Sequence, residues 1–342
     1  MRNLFLALLL ICATPLSGEV FAQSVDDSTS STTETAATST AAVTSAPASW
    51  YRVETITGNI EVGDFLVGPG RAEIQVAPGE TVIQEISVTN RISDDRVFKL
   101  EVEDIVGSSD GSAAASLVGS GRGPFSVQDY ISFPEDEFTL ALGERARIPV
   151  MITVPPNITP GGYYGSVLVS TVRAPGSTEG NVPTSPIIAR VGSLFFIRVT
   201  GEAEVQAEVQ SITTMDNKWW YEEGPIDFGI LTENTGTVHV NPYGEVSITN
   251  MFGEEVGFLQ MEPWYVLPKS LRIREFTWDR EFLLGRYTAT AQINRGYDDI
   301  VDEVSVSFWV LPWKIVGGIF VSLFVVIFLI RAFFRTFEFK RK

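Results

Sequence analysis

The chain has 342 residues, 44% of them hydrophobic and 20% charged, a formal net charge of −17, one Cys and one His. One imidazole and one thiol cannot build a His-rich zinc site, a Cys/His protease pair or an iron–sulfur cluster. The acidic balance argues against a nucleic-acid binder, because phosphates call for a basic face.

The N-terminus reads Met1-Arg2-Asn3, then an apolar run from Leu4 to Ala13, then Val20-Phe21-Ala22. A basic start, a short apolar stretch and a small residue before the cut define a signal peptide over 1–22. The run is too short to cross a bilayer. Bulky Ile11 beside Cys12 argues against a lipoprotein cysteine. Removal of this segment takes away the one thiol, so the exported chain carries no disulfide, which fits bacterial export. Residues 23–49 are almost all Ser, Thr, Ala and acid. They bury too little apolar surface to offset chain entropy and read as a disordered linker, either glycosylated or a plain spacer.

From Trp50 onward the hydrophobic period is 2, the signature of strands. Ile148, Val150, Ile152 and Val154 share one face, as do Tyr287, Ala289, Ala291 and Ile293. Turn signals at Pro78-Gly79, Pro160-Gly161-Gly162, Asn234-Thr235-Gly236 and Phe252-Gly253 separate the runs. A weak internal repeat is present. Ile86-Ser87-Val88-Thr89-Asn90 before a polar turn corresponds to Ile230-Leu231-Thr232-Glu233-Asn234, and Gly162-Tyr163-Tyr164 corresponds to Gly285-Arg286-Tyr287. The expected fold class is all-β: two tandem immunoglobulin-like antiparallel β-sandwiches, 50–202 and 203–312, plus one C-terminal transmembrane helix.

That helix is expected over 313–334, where Ile315 to Ile330 carries no charge. Trp313 to Phe334 would extend about 33 Å at ~1.5 Å per residue, enough for a bilayer core. Trp309 and Trp313 fall in an interfacial aromatic belt. Arg331, Arg335 and the 335–342 tail ending in Lys340-Arg341-Lys342 form a basic cytoplasmic flank. The expected address is therefore the cell membrane, single-pass, with the N-terminus outside.

Chemistry is hard to find. His239, in the strand-like Val238-His239-Val240, is the imidazole that any Ser/His/Asp triad would have to use, and it reads as a structural or surface residue. No HExxH, Walker or dinucleotide glycine motif is present, so no catalytic residue, metal site or cofactor is expected. Glu135-Asp136-Glu137 and Asp298-Asp299 with Asp302-Glu303 read as solvated turn acids, with calcium bridging near Asp298 as the alternative. Residues 107–124 are too long for a hairpin turn; composition favours disorder over a functional loop. The candidate contact residues are aromatic: Trp219, Trp220, Tyr221 and Trp264. They serve either the core or a sugar- or partner-stacking surface. Neighbouring strand residues point to opposite faces, so Trp219 and Trp220 should differ in burial.

Several segments together resemble the bacterial WxL-interacting protein family. They are Pro78-Gly79-Glu80 leading to Asn90, Leu142-Gly143-Glu144, Val154-Pro155-Pro156, Pro160-Gly161-Gly162-Tyr163-Tyr164-Gly165 and Ala189-Arg190-Val191-Gly192-Ser193. A second β-module, one C-terminal span and a basic tail add to the likeness, which is strongest over 76–200. The resemblance implies a surface protein whose membrane-distal module contacts peptidoglycan or a partner surface protein. The Ser/Thr tail and the Trp-rich second module depart from the family pattern, and no family binding residue maps onto a position here. The leading expectation is a non-enzymatic, membrane-anchored bacterial cell-surface protein binding the cell wall or a surface-protein partner. The alternatives are a structural or chaperone-like subunit of an envelope or secretion complex, and a carbohydrate-active enzyme.

Overall fold

The structure is a computed structural model and describes residues 50–58, 60–172 and 189–336. The expected signal peptide, the Ser/Thr-rich linker and residues 337–342 of the basic tail lie outside the described residues.

The first set of strands is β1 (Arg52–Thr55), β2 (Leu66–Gly68), β3 (Arg71–Val76), β4 (Thr81–Thr89), β5 (Arg96–Val106), β6 (Ser116–Leu117), β7 (Ile131–Ser132), β8 (Glu137–Leu140), β9 (Glu144–Thr153), β10 (Gly161–Val172) and β11 (Arg190–Val199). They form two sheets. One runs β1-β9-β4-β2 with β7 also on β9; the other runs β3-β11-β10-β5-β6 with β8 also on β5. The second set is β12 (Ala207–Thr214), β13 (Trp220–Tyr221), β14 (Ile226–Asn234), β15 (Tyr243–Asn250), β16 (Glu255–Met261), β17 (Ser270–Trp278), β18 (Gly285–Asn294) and β19 (Val301–Val310). Its sheets run β12-β14-β17 and β13-β19-β18-β15-β16. The pairing is antiparallel except where a short strand joins the last strand of its set, β3 on β11 and β13 on β19. The chain is thus an all-β protein with one C-terminal apolar helix, α1 (Trp313–Thr336).

Period-2 alternation fills two cores. In β9 the inward residues Ile148, Val150 and Ile152 are fully buried, and in β18 Ala289, Ala291 and Ile293 do the same. Phe98 stacks on Phe138 in the first core, and Phe228 on Phe276 in the second. The internal repeat has a physical cause. Asn90 and Asn234 are both wholly buried at the end of equivalent strands. Asn90 Nδ2 donates to Leu140 O at 2.9 Å, and Asn234 Nδ2 donates to Val266 O at 2.9 Å. Each Oδ1 then accepts an N–H two residues on, from Ile92 and Gly236. One amide side chain therefore satisfies buried main-chain groups on two segments in each sandwich. Tyr163 holds the corner before β10, donating to Thr159 O at 2.9 Å and packing on Tyr130.

The segment 107–124 differs from the expectation of disorder. It packs on the outer edge of β17, across the boundary between the two strand sets. Leu271 N donates to Ser108 O at 2.9 Å, Ile273 N donates to Gly111 O at 3.2 Å, and Gly111 bridges Arg272 in parallel. Asp110 ties the loop together, accepting from Ser108 Oγ and, at 3.0 Å, from Ser112 N. The Ser108 and Ser112 hydroxyls hold its carboxyl well below the usual range. Asp104, wholly buried, closes the loop by accepting from Gly123 N at 3.0 Å and Val127 N at 2.9 Å. Small polar residues here serve a close backbone approach, which composition alone does not distinguish from disorder.

That approach is tightest at Gly107, where an added Cβ would lie 2.3 Å from Ser270 Cβ. Gly107→Ala is therefore expected to destabilise the protein by about 1–3 kcal/mol through overpacking. A Gly107→Ala/Ser270→Gly double variant should recover most of the loss. Thermal denaturation of the four proteins in the cycle measures it, and additive losses would show that the contact is absent.

Candidate functional site

A third cluster of buried residues lies between the two cores: Ile105, Tyr164 and Phe196 from the first sandwich with Leu267 from the second. Its centre is polar. The Tyr164 hydroxyl accepts the His239 backbone N–H at 2.6 Å and lies 3.1 Å from His239 Nδ1. The hydroxyl donates to Nδ1 when the imidazole proton is on Nε2, and accepts from it in the other tautomer. Phe196 meets the imidazole edge-on at 5.0 Å and Tyr265 at 5.0 Å. Arg71 of β3 lies over both Phe196 and Tyr265, and Arg272 of β17 lies 4.2 Å from the Tyr265 centroid.

Burial pushes the His239 imidazole down from 6.5 to about 4, and burial raises Tyr164. Arg71 and Arg198 act on His239 in the same direction, while Glu73 opposes them. The single imidazole is thus a structural group of the junction, already committed to a tyrosine.

Beside this cluster opens a cleft of about 550 Å³. Its walls are Glu73, Ile74 and Gln75 of β3, Phe196 and Arg198 of β11, the 238–241 segment, and the Gly296-Tyr297-Asp298 turn. Register places Glu73 opposite Phe196 and Gln75 opposite Arg198, so these side chains share the junction face. The Ile74 side chain is in the first core, so it is the backbone of β3 that borders the cleft at that point. β3 ends its sheet and has β11 as its one strand partner among the described residues. Its outer edge has no strand partner among the described residues, and it is the face that β3 shares with β11 that borders the cleft. Arg198 has no ion-pair partner among the described residues, while Glu73 pairs with Arg71 at 3.0 Å.

The four aromatic candidates do not form one site. Trp219 is 72% exposed and Trp220 40% exposed, both at the helix-proximal end of the second sandwich. Trp309 N donates to Trp219 O and Leu311 N donates to Tyr221 O, each at 2.9 Å. The Tyr221 ring packs on Phe308 in the second core. Trp264 lies near the opposite end and is 3% exposed, so it cannot serve as a stacking surface. It sits in the irregular connection between β16 and β17, where no period marks the inward face. The acidic run near Asp298 is also partly committed. Asp302 binds Arg295 through both carboxylate oxygens, at 2.9 and 2.6 Å, and accepts Val209 N. Among the described residues no group of three or more His, Cys, Asp or Glu converges as a cation site, which weighs against calcium bridging. In the sequence the cleft is marked only by the polar–apolar alternation of Arg71 to Val76 after Pro69. Nothing in the sequence joins β3 to residues 238–241.

No family model matches the chain, and no curated protein matches it. Among solved structures, the class 5 fimbrial chaperone CfaA is similar at 12% identity, over 73% of this chain and all of that one, with a TM-score of 0.35. The chaperone DraB of E. coli shows 15% identity over 73% of this chain and 98% of that one, with a TM-score of 0.32. A chaperone–adhesin complex of Acinetobacter baumannii pili shows 11% identity over 71% of this chain and a TM-score of 0.35. Likeness at this distance carries no argument about what the chain binds.

Burial opposes the charged form of His239 in the folded protein. A folded pKa below the unfolded value means that the unfolded chain takes up the proton first. This part of the stability is complete above pH 6.5 and is lost as pH falls toward 4. The shift corresponds to roughly 3 kcal/mol at ~1.4 kcal/mol per unit. His239→Gln, which keeps an acceptor without titrating, should show a flatter Tm between those two pH values than the parent. Parallel Tm–pH curves would remove His239 from the account.

Proposed function

We propose that the chain is a non-enzymatic surface protein of a bacterial envelope, held by α1 with both sandwiches outside, that binds an extended segment of a partner at the junction cleft. The observation that carries this reading is the cleft itself, bordered by β3, a strand that ends its sheet with no partner on its outer side among the described residues. An extended segment laid there gains main-chain hydrogen bonds from the edge, while Arg198, Glu73 and Asp298 sort its side groups. One described helix, Trp313–Thr336, is long and apolar enough to cross a membrane, and none of that run is buried against the sandwiches. Arg331 and Arg335 at its far end support an outward-facing body. The resemblance to WxL-interacting proteins supplies the partner class: a surface protein, or the peptide-bearing wall polymer itself. The same strand and cleft favour one further reading, a chaperone-like or structural subunit that holds a segment of another envelope protein.

Full-length protein in detergent micelles, mixed with purified peptidoglycan sacculi at low and physiological salt, separates these partners. If the wall is the ligand, pelleting survives physiological salt and falls several-fold in Arg198→Glu. If a protein is the ligand, sacculi fail to pellet the chain, while a photo-crosslinking residue at Gln75 joins one envelope protein in intact cells and the same residue at Asp227, an exposed position of β14, does not. Failure of both assays would reject the cleft as the binding site.

A further inference from the structure

The exposed aromatic residues of the second sandwich are not scattered. Strand register gathers them at one end. Trp220 pairs with Trp309, Gly285 with Val310, Asn250 with Tyr287, and Ile226 with Trp278. These pairs bring the 215–219 segment, the 251–254 turn and the 279–284 loop around the last residues of β19. Each contributes large exposed apolar side chains: Trp219, Met251, Phe252, Phe282, Leu284 and Trp309. Phe252 is 79% exposed at a turn tip, a place where Gly, Asn and Asp are the usual residues. That turn is well braced. Asn250 Oδ1 accepts from Phe252 N at 2.9 Å and from Glu254 N at 3.0 Å. The loop at 279–284 is anchored by Leu283 in the core and by Leu284 N donating to Tyr287 Oη at 3.1 Å, which leaves Phe282 and Leu284 facing outward. A soluble surface does not ordinarily collect such a patch without something to cover it.

The cover is identified by what emerges from the same end. Only Leu311 and Pro312 separate β19 from α1. Two residues reach at most about 7 Å, at ~3.3–3.6 Å each. The interfacial layer of one leaflet is of the same order, about 5–8 Å, being half the difference between the full and hydrocarbon thickness. The start of α1 is also tied to the sandwich: Trp313 Nε1 donates to Glu222 Oε1 at 2.8 Å, and Lys314 Nζ lies 3.0 Å from Glu222 Oε2. A helix that crosses a bilayer from this point holds the apolar end within the headgroup layer. Asp216, Glu223, Asp279 and Glu281 are exposed in the same collar, so attraction to anionic lipid is not the cause; apolar burial is.

We propose that the helix-proximal end of the second sandwich is seated in the headgroup layer of the bilayer that α1 crosses, with Trp219, Phe252, Phe282, Leu284 and Trp309 as its inserted side chains. The proposal rests on the single-span reading above. It assigns Trp219 to lipid rather than to a sugar or a protein ligand.

The test uses full-length chain with Cys12→Ser, reconstituted in phosphatidylcholine vesicles. Single spin labels are placed through Phe252→Cys, Phe282→Cys, Glu262→Cys and Phe324→Cys. Glu262 is exposed near the opposite end of the sandwich, and Phe324 lies in mid-helix. Collision with oxygen relative to a water-soluble nickel chelate reports depth. The expected result is a ratio at 252 and 282 several-fold above that at 262, approaching the value at 324, and unchanged by salt. If 324 lies in lipid while 252 and 282 match 262, the seated collar is overturned and the span survives. If 324 itself is in water, the single-span reading fails and the proposal fails with it.

Discussion

The phenol–imidazole pair of Tyr164 and His239 is the constraint on which the arrangement of this protein depends. A buried hydroxyl and a buried ring nitrogen are costly unless each finds a partner, and here each finds the other across the boundary between two sandwiches. The surrounding rings of Phe196 and Tyr265 exclude water and make that pairing specific in angle as well as distance. Arg71 and Arg272 flank Tyr265 from two different strands, so the junction is also held by cation–π contacts. A hinge between modules normally exposes polar linker residues. This junction buries aromatic ones, and the loop at 107–124 adds main-chain bonds on one side of it. These contacts line the cleft with residues of both sandwiches.

The fold was legible because strands with one buried face repeat every second residue, and β9 and β18 keep that period without interruption. The repeated Asn90 and Asn234 were visible as the last residues of matching strands, although their role in closing buried carbonyls is a three-dimensional fact. Long-range pairing was not legible. His239 sits in an ordinary strand-like triplet, and nothing local says that its partner is 75 residues away. The 107–124 loop misleads for a related reason: Gly and Ser suit both a disordered chain and a backbone pressed against β17, and only Gly107 against Ser270 separates the two. Trp264 and Trp219 have the same side chain and opposite fates, because burial depends on which end of the sandwich a connection closes.

The two ends of the second sandwich show that division clearly. At the junction end, Trp264 is covered and His239 is bonded to Tyr164 of the first sandwich. At the helix end, the rings stand outward from braced turns, beside the place where the chain enters an apolar helix. A chain of net charge −17 gains nothing electrostatically from laying its acidic sandwiches on an anionic membrane surface. Any close seating on lipid must then come from apolar area near the helix, which is where that area is concentrated.

Edge strands carry the same logic to the other end of the molecule. Sheets whose edges stay open invite pairing with other chains, and proteins normally cover, shorten or charge them. The outer edge of β17 is covered by the 107–124 loop, which adds backbone bonds through Ser108 and Gly111. β1 and β7 divide one side of β9 between them, leaving little of it bare. β3, β12 and β16 each end a sheet with one strand partner among the described residues. β3 differs from the other two in bordering the junction cleft, with Glu73 and Gln75 on the face it shares with Phe196 and Arg198 of β11. An unpaired strand beside a cleft offers main-chain groups and side chains within reach of each other, which a plain sheet edge such as β16 does not.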